Sequence, residues 1–205
     1  MENKKAWIYI HIPKTAGQFV KSRIIETKKN TSKIIIPFLN DKGFSPILKF
    51  HPNISFVKKQ ISLSNDERVG FIVIVRNPYD RLYSLWKWST SNGNHSDVEF
   101  PGVEKKFEDY IISLGKSKYD GFYFMQKQTF WFIGEENSFV KIMKFEELNT
   151  TVKTFFENNG ITWSNKKINA ILGQDYRDVY TPKIRDMVIE RCHEEFERFG
   201  YSLDL

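Results

Sequence analysis

Trp7-Ile8-Tyr9-Ile10-His11-Ile12-Pro13-Lys14-Thr15-Ala16-Gly17 is the stretch that decides the fold. Its first six residues are mostly apolar and β-competent, the pattern of a short strand, and Pro13 to Gly17 break it with a turn that carries a lysine, a hydroxyl and a glycine. A helix-competent segment, Gln18 to Lys28, follows at once. A strand that stops before a helix leaves unpaired backbone N–H groups and a cation aimed at one spot, which is the physics of an anion pocket at a helix N-terminus. The ligand implied is a phosphate or sulfate group, with Pro13, Lys14, Thr15, Ala16, Gly17 and Gln18 as the residues around it.

A second stretch repeats the arrangement. Gly70-Phe71-Ile72-Val73-Ile74-Val75 is an unbroken β-branched and aromatic run, as in a parallel strand covered on both faces. It ends in Arg76-Asn77-Pro78-Tyr79-Asp80-Arg81-Leu82-Tyr83-Ser84. Pro78 suits the first turn of a helix, Asn77 its cap, and Arg76 the C-terminal end of the strand, where open α/β sheets bind ligands. Arg76 and Ser84 can close on one phosphate from the two sides of that turn.

The remaining pattern alternates strands with helices. Strands are predicted at 6–12, 33–36, 47–50, 70–76 and 139–143. Helices are predicted at 16–28, 53–60, 78–90, 103–115, 119–133, 150–159, 165–172 and 181–198. This order argues for an α/β protein with a P-loop-like parallel β-sheet flanked by helices on both faces. With no repeat, low-complexity tract or linker, the chain reads as a single domain over 1–205. Thr181 as N-cap, Pro182 after it and Gly200 beyond the last periodic residue punctuate the terminal helix. The polar stretch from Ser91 to Gly102 reads as a surface loop on the acceptor side or as a plain solvated connector.

A nucleotide-hydrolysing P-loop is the nearest mimic, because Lys14-Thr15 shares its lysine–hydroxyl pair. That motif needs a glycine ahead of the lysine so that amides can wrap the phosphates. Here Ile10-His11-Ile12-Pro13 precede Lys14, and Pro13 removes an amide donor. A metal-dependent phosphoryl transferase, such as a small-molecule kinase, is therefore disfavoured.

The two motifs together resemble a family, the sulfotransferases that use 3′-phosphoadenosine 5′-phosphosulfate (PAPS), and within it the carbohydrate-type branch. His11 to Gly17 resembles the family's 5′-phosphosulfate loop, and Arg76 to Ser84 its 3′-phosphate motif. Phe139 to Leu148, with Phe145-Glu146-Glu147-Leu148, and Tyr180-Thr181-Pro182 through Phe199-Gly200-Tyr201 are similar to its later segments, so almost the whole chain is covered. The resemblance implies transfer of a sulfuryl group from PAPS to an acceptor hydroxyl on a carbohydrate. It leaves adenosine 3′,5′-bisphosphate (PAP) as product and needs no metal. Gln18 and Phe19 depart from the pattern, standing where the family has hydroxyl residues. Gln18 can still donate a hydrogen bond and the Phe19 side chain cannot. A non-catalytic nucleotide- or polyanion-binding protein on the same fold is the alternative that this departure keeps open.

Within that reading Lys14 is the first catalytic candidate, because an ammonium at the bridging oxygen stabilises the charge that builds there as the bond to sulfur breaks. The acceptor hydroxyl must also lose a proton, and histidine is matched to that task near neutral pH. His51 follows Ile47-Leu48-Lys49-Phe50, precedes Pro52, and resembles the His-x-Pro-type segment that carries the base in related enzymes. The other three histidines read differently: His11 as packed beside the donor loop, His193 as a surface group, and His95 as the reserve candidate in the polar loop. No metal-ligand spacing is present.

Composition is consistent with this. At 205 residues, 40% hydrophobic and 27% charged, the chain can bury a sizeable core. The net charge of +6 favours anionic ligands, yet the basic residues are scattered rather than gathered in an arm, so a polyanionic donor explains them better than nucleic acid. No apolar run reaches the roughly 18 to 20 residues of a membrane span, and Met1-Glu2-Asn3-Lys4-Lys5 leads into a strand rather than a signal peptide, so a soluble, cytoplasmic protein is expected. The single cysteine, Cys192, shares helical spacing with Ile184, Val188 and Phe196 and reads as packed, with a reactive thiol as the alternative. Phe122-Tyr123-Phe124 and Phe130-Trp131-Phe132 read as a packed helical hairpin, and Trp86 and Trp88 as core or as acceptor-cleft residues.

Overall fold

The strand expected first runs over Ala6–Ile10 (β1) and leads through the turn at 13–16 into helix Gly17–Glu26 (α1). In chain order there follow β2 (Ile34–Ile35), β3 (Leu39–Asn40), β4 (Gly43–Phe44), α2 (Ile54–Gln60), β5 (Val69–Val75), α3 (Pro78–Ser91) and α4 (Phe107–Ser113). A 3₁₀ turn (Gln128–Phe132), β6 (Phe139–Lys144), α5 (Lys153–Asn158), a second 3₁₀ turn (Tyr176–Val179) and α6 (Pro182–Phe199) complete the elements treated below. The structure is a computed structural model that describes residues 6–27, 34–35, 39–40, 43–44, 51–60, 69–91, 105–114, 126–163 and 175–205.

The chain divides into two compact units, Met1–Val75 with Gln128–Ala170, and Arg76–Lys127 with Ile171–Leu205. The first is α/β. Its four-stranded sheet has the order β2-β1-β5-β6, and every pairing is parallel. Ala6 to Ile10 pair with Val69 to Val73, and Gly70 to Val75 with Phe139 to Lys144. Trp7, Tyr9, Ile72, Ile74 and Met143 pack with Val20 and Ile24 of α1 and Phe156 of α5. The alternate residues Ile8, Ile10, Phe71, Val73 and Val75 are equally buried, as the unbroken apolar runs require of strands covered on both faces. From β1 the chain goes out to β2, then returns to the other side of β1 as β5. The strand order therefore reverses between β1 and β5, the point at which open α/β sheets take their ligands at the strands' C-terminal ends.

The second unit is helical. Tyr79, Leu82, Tyr83 and Leu85 of α3, Phe107, Tyr110 and Ile111 of α4, and Ile184, Val188, Cys192 and Phe196 of α6 form one apolar core, with Trp86 and Trp88 packed against it half-buried. The terminal helix has the caps its sequence prescribes: Thr181 Oγ1 accepts from the Ile184 N–H, and Gly200 closes it with a left-handed φ of 61°. Cys192 lies in this core, and burial pushes its thiol pKa up. Arg81 is buried as well and donates to the Gln126 carbonyl at 3.1 Å. Burial lowers its pKa and the nearby Glu195 opposes that fall.

The predicted helix over 119–133 is not an α-helix where it is described. Gln128–Phe132 is a 3₁₀ turn, because Thr129-Phe130-Trp131-Phe132 are poor helix formers and Gly134 turns the chain immediately afterwards with φ 88°. The helix predicted from 103 begins at Phe107, and the one predicted from 150 begins as a π-turn over Leu148–Val152. The short hairpin of β3 and β4 was not foreseen. The strand at 47–50, the helix at 165–172, residues 119–125 and the polar loop beyond Ser91, with His95, lie outside the described residues.

Candidate functional site

The turn after β1 has an unusual backbone. Lys14 (φ 69°) and Ala16 (φ 67°) are both left-handed, although neither is glycine. Left-handed residues set among right-handed ones turn successive N–H groups inward to form a nest that receives anions. Such conformations cost non-glycine residues free energy and persist where the surroundings fix them. Thr15, wholly buried between the two, donates its hydroxyl proton to the Ile12 carbonyl at 2.9 Å and so braces the turn. Ala16 stands at the N-cap of α1 and supplies no side-chain cap, so the first N–H groups of the helix continue the nest. Gln18 is exposed at its edge.

Gly17 is required here by contact. A Cβ at this position would fall 1.7 Å from Cδ2 and Nε2 of His11, whose ring lies directly against the helix start. His11 is buried, and its pKa lies well below the ordinary histidine value. Burial is the main cause, followed by the positive charges of His51, Lys21 and Lys14. His11 is therefore neutral at physiological pH, and four nitrogen-bearing side chains gather at the end of β1.

His51 lies beside it. The two imidazoles meet edge to face with centroids 4.1 Å apart, and His51 Nδ1 is 3.0 Å from the His11 carbonyl oxygen. A carbonyl can only accept, so Nδ1 carries the proton and Nε2 holds the lone pair. The His51 carbonyl in turn accepts from the Trp131 indole N–H at 3.1 Å.

Lys21 was not singled out in the sequence. It sits four residues after Gly17, on the helix face that Gly17 presents to His11. It is only 9% exposed, and burial lowers its pKa from 10.5 to about 8. The spacing from Gly17 was the available signal. Phe19, where the resemblance would place a hydroxyl, instead packs edge-on against Trp163 (4.9 Å) with the Arg23 guanidinium 5.1 Å from its ring centre.

Arg76 is the residue after Val75, the last of β5, and opens the helical unit. Asn77 caps α3 by accepting from the Tyr79 N–H at 2.9 Å. The Arg76 fork engages Asp80 through both Nε (2.8 Å) and Nη2 (2.7 Å). Ser84, buried and four residues beyond Asp80, follows on the same side of α3. Among the described residues no group of three or more His, Cys, Asp or Glu side chains is disposed to hold a metal ion, and no helix is long and apolar enough to cross a membrane.

Neither a family model nor a curated protein matches the chain. Among solved structures it is similar to that of mouse sulfotransferase SULT7A1 complexed with PAP. The two are 14% identical over 97% of this chain and 90% of that one, with a TM-score of 0.49.

Proposed function

We propose that the protein is a sulfotransferase that moves a sulfuryl group from PAPS to an acceptor hydroxyl, in the first instance on a carbohydrate. The observation that carries this reading is the left-handed Lys14 and Ala16 before an uncapped helix N-terminus, a backbone nest with a lysine in it at the end of β1. Its position beside the reversal of strand order supports the reading, as does Arg76 directly after the neighbouring strand. A donor with one phosphate at each end of its ribose is what the resemblance implies for the two motifs, Pro13 to Gln18 and Arg76 to Ser84.

The residues present fit such a donor. Pro13 to Gln18 hold its 5′ end, and Arg76 and Ser84 its 3′-phosphate. PAPS supplies the activated sulfuryl group. Lys14 stabilises the negative charge left on the departing phosphate oxygen, an interaction stronger in the transition state than before it. Lys21, which is buried, adds a second positive charge nearby. His51, with its lone pair on Nε2, takes the proton of the acceptor hydroxyl as the new O–S bond forms and the S–O bond to phosphate breaks.

Incubation with ³⁵S-labelled PAPS and a mixture of glycans tests the proposal. Labelled product in the carbohydrate fraction, lost in Lys14→Ala, is the expected result. Tight PAP binding with no label transferred to any hydroxyl acceptor would instead favour the non-catalytic reading, which the departure at Gln18 and Phe19 keeps open.

A further inference from the structure

We propose that Trp131, with the turn that follows it, is the positioning element of His51. It holds that residue so that the Nε2 lone pair keeps one direction. The inference rests on the reading of His51 as the proton acceptor.

Residues 51–58 and 131–136 are tied by bonds that belong to no strand ladder. Trp131, with no exposed surface, donates its indole N–H to the His51 carbonyl at 3.1 Å. The Ser55 N–H donates to the Ile133 carbonyl at 2.7 Å. Lys58 Nζ donates to the carbonyls of Gly134 (2.7 Å) and Glu136 (3.0 Å). Gly134 approaches so closely that a Cβ there would lie 2.6 Å from the Ser55 Cα, and its φ of 88° suits glycine.

Helix α2 does not need the indole for its own start. Asn53 Oδ1 accepts from the Phe56 N–H at 2.9 Å and its carbonyl from the Val57 N–H at 3.1 Å. Trp131 acts two residues earlier, on the residue whose ring donates to the His11 carbonyl. His51 is therefore held at both ends, its backbone by Trp131 and its Nδ1 by His11. Nε2 is the ring atom that has to meet a substrate proton. A catalytic group displaced by about 1 Å loses on the order of a hundredfold in rate, so a contact that fixes the base has kinetic weight beyond its effect on folding.

Trp131→Phe keeps an aromatic ring and removes the donor, and Lys58→Met loosens the same turn without touching the core. The deciding measurement is ¹⁵N NMR of the His51 imidazole through a pH titration. His11, Lys14 and Lys21 are the charged or titratable neighbours whose signals are followed with it. In the native protein the Nδ1–H tautomer dominates. In both variants the expected result is a mixed tautomer and a displaced titration midpoint with PAP affinity close to native; melting temperature stays close to native in Lys58→Met and falls in Trp131→Phe, where the smaller ring leaves a cavity. In turnover assays Trp131→Phe lowers kcat about tenfold or more at unchanged donor KM, and adds nothing in a His51→Ala background. An unchanged tautomer and midpoint in both variants, or a Trp131→Phe defect confined to melting temperature, overturns the inference. A His51→Ala enzyme at native rate overturns the reading of His51 as base, and leaves the NMR result to stand on its own.

Discussion

Replacing Lys21 with methionine should make the protein more stable at neutral pH and remove a pH dependence. The ammonium is buried, and burial lowers its pKa from 10.5 to about 8. At about 1.4 kcal/mol for each tenfold step, keeping Lys21 charged costs about 3 kcal/mol wherever both folded and unfolded chains carry the proton, that is below pH 8. Between pH 8 and 10.5 the unfolded chain binds more protons than the folded one, so this contribution makes stability rise with pH through that window, by about 2 kcal/mol at pH 9.5. Other groups oppose the trend: burial raises the pKa of Tyr9 and of the Cys192 thiol, which lowers stability as alkali ionises them in the unfolded chain. They are common to both proteins, so the difference between native and Lys21→Met isolates the lysine. Urea unfolding at pH 7 and 9.5 measures it. A gap of up to about 3 kcal/mol in favour of the variant at pH 7, shrinking by about 2 at pH 9.5, is expected. A gap that does not change with pH, or a variant less stable at pH 7, refutes the assignment of Lys21 as a buried charge.

Gly17→Ala should force the His11 ring from its place, because the new methyl would sit 1.7 Å from two of its atoms. Thermal and urea melts should register about 1–3 kcal/mol of overpacking, and calorimetry a loss of PAP affinity; the methyl should be tolerated in a His11→Ala background. Lys14→Ala should lower kcat about a hundredfold or more while donor affinity, measured by calorimetry, falls less, since the backbone nest remains. A Lys14→Ala variant whose whole defect lies in donor KM would contradict the role. Cys192, 3% exposed in the helical core, should stay inert to a thiol-specific chromogenic reagent until denaturant is added.

Much of the framework was legible because single residue types decide it. The unbroken Phe71 to Val75 run could only be a strand covered on both faces, and Asn77-Pro78 and Thr181-Pro182 mark helix starts by the chemistry of caps. The lysine turn was also visible, since strand, Pro13 and helix-forming residues meet within it. Its left-handed backbone was not, because Lys14 and Ala16 carry no glycine signature. Thr15 reads as a ligand contact, and that its hydroxyl also donates to the Ile12 carbonyl is a local bond that spacing alone does not reveal. Arg76 and Asp80 stand four apart on a helix start, a spacing that permits their pairing as readily as it leaves Arg76 for a phosphate. Trp131 and His51 are joined across 80 residues, and Lys21 gained its meaning only when α1 turned it toward His11. Contacts of that range belong to the fold and have no period in the sequence.

The measurement closest to the central claim is calorimetric titration of the protein with adenosine 3′,5′-bisphosphate against adenosine 5′-phosphate, repeated on Arg76→Gln. A lost charge-assisted contact is worth roughly 1.5–3 kcal/mol, so the ligand without the 3′-phosphate should bind about ten- to a hundredfold more weakly. In Arg76→Gln that difference should largely vanish while affinity for adenosine 5′-phosphate is kept. Equal affinity of the native protein for the two nucleotides, or no binding of either, would contradict a PAPS-type donor site.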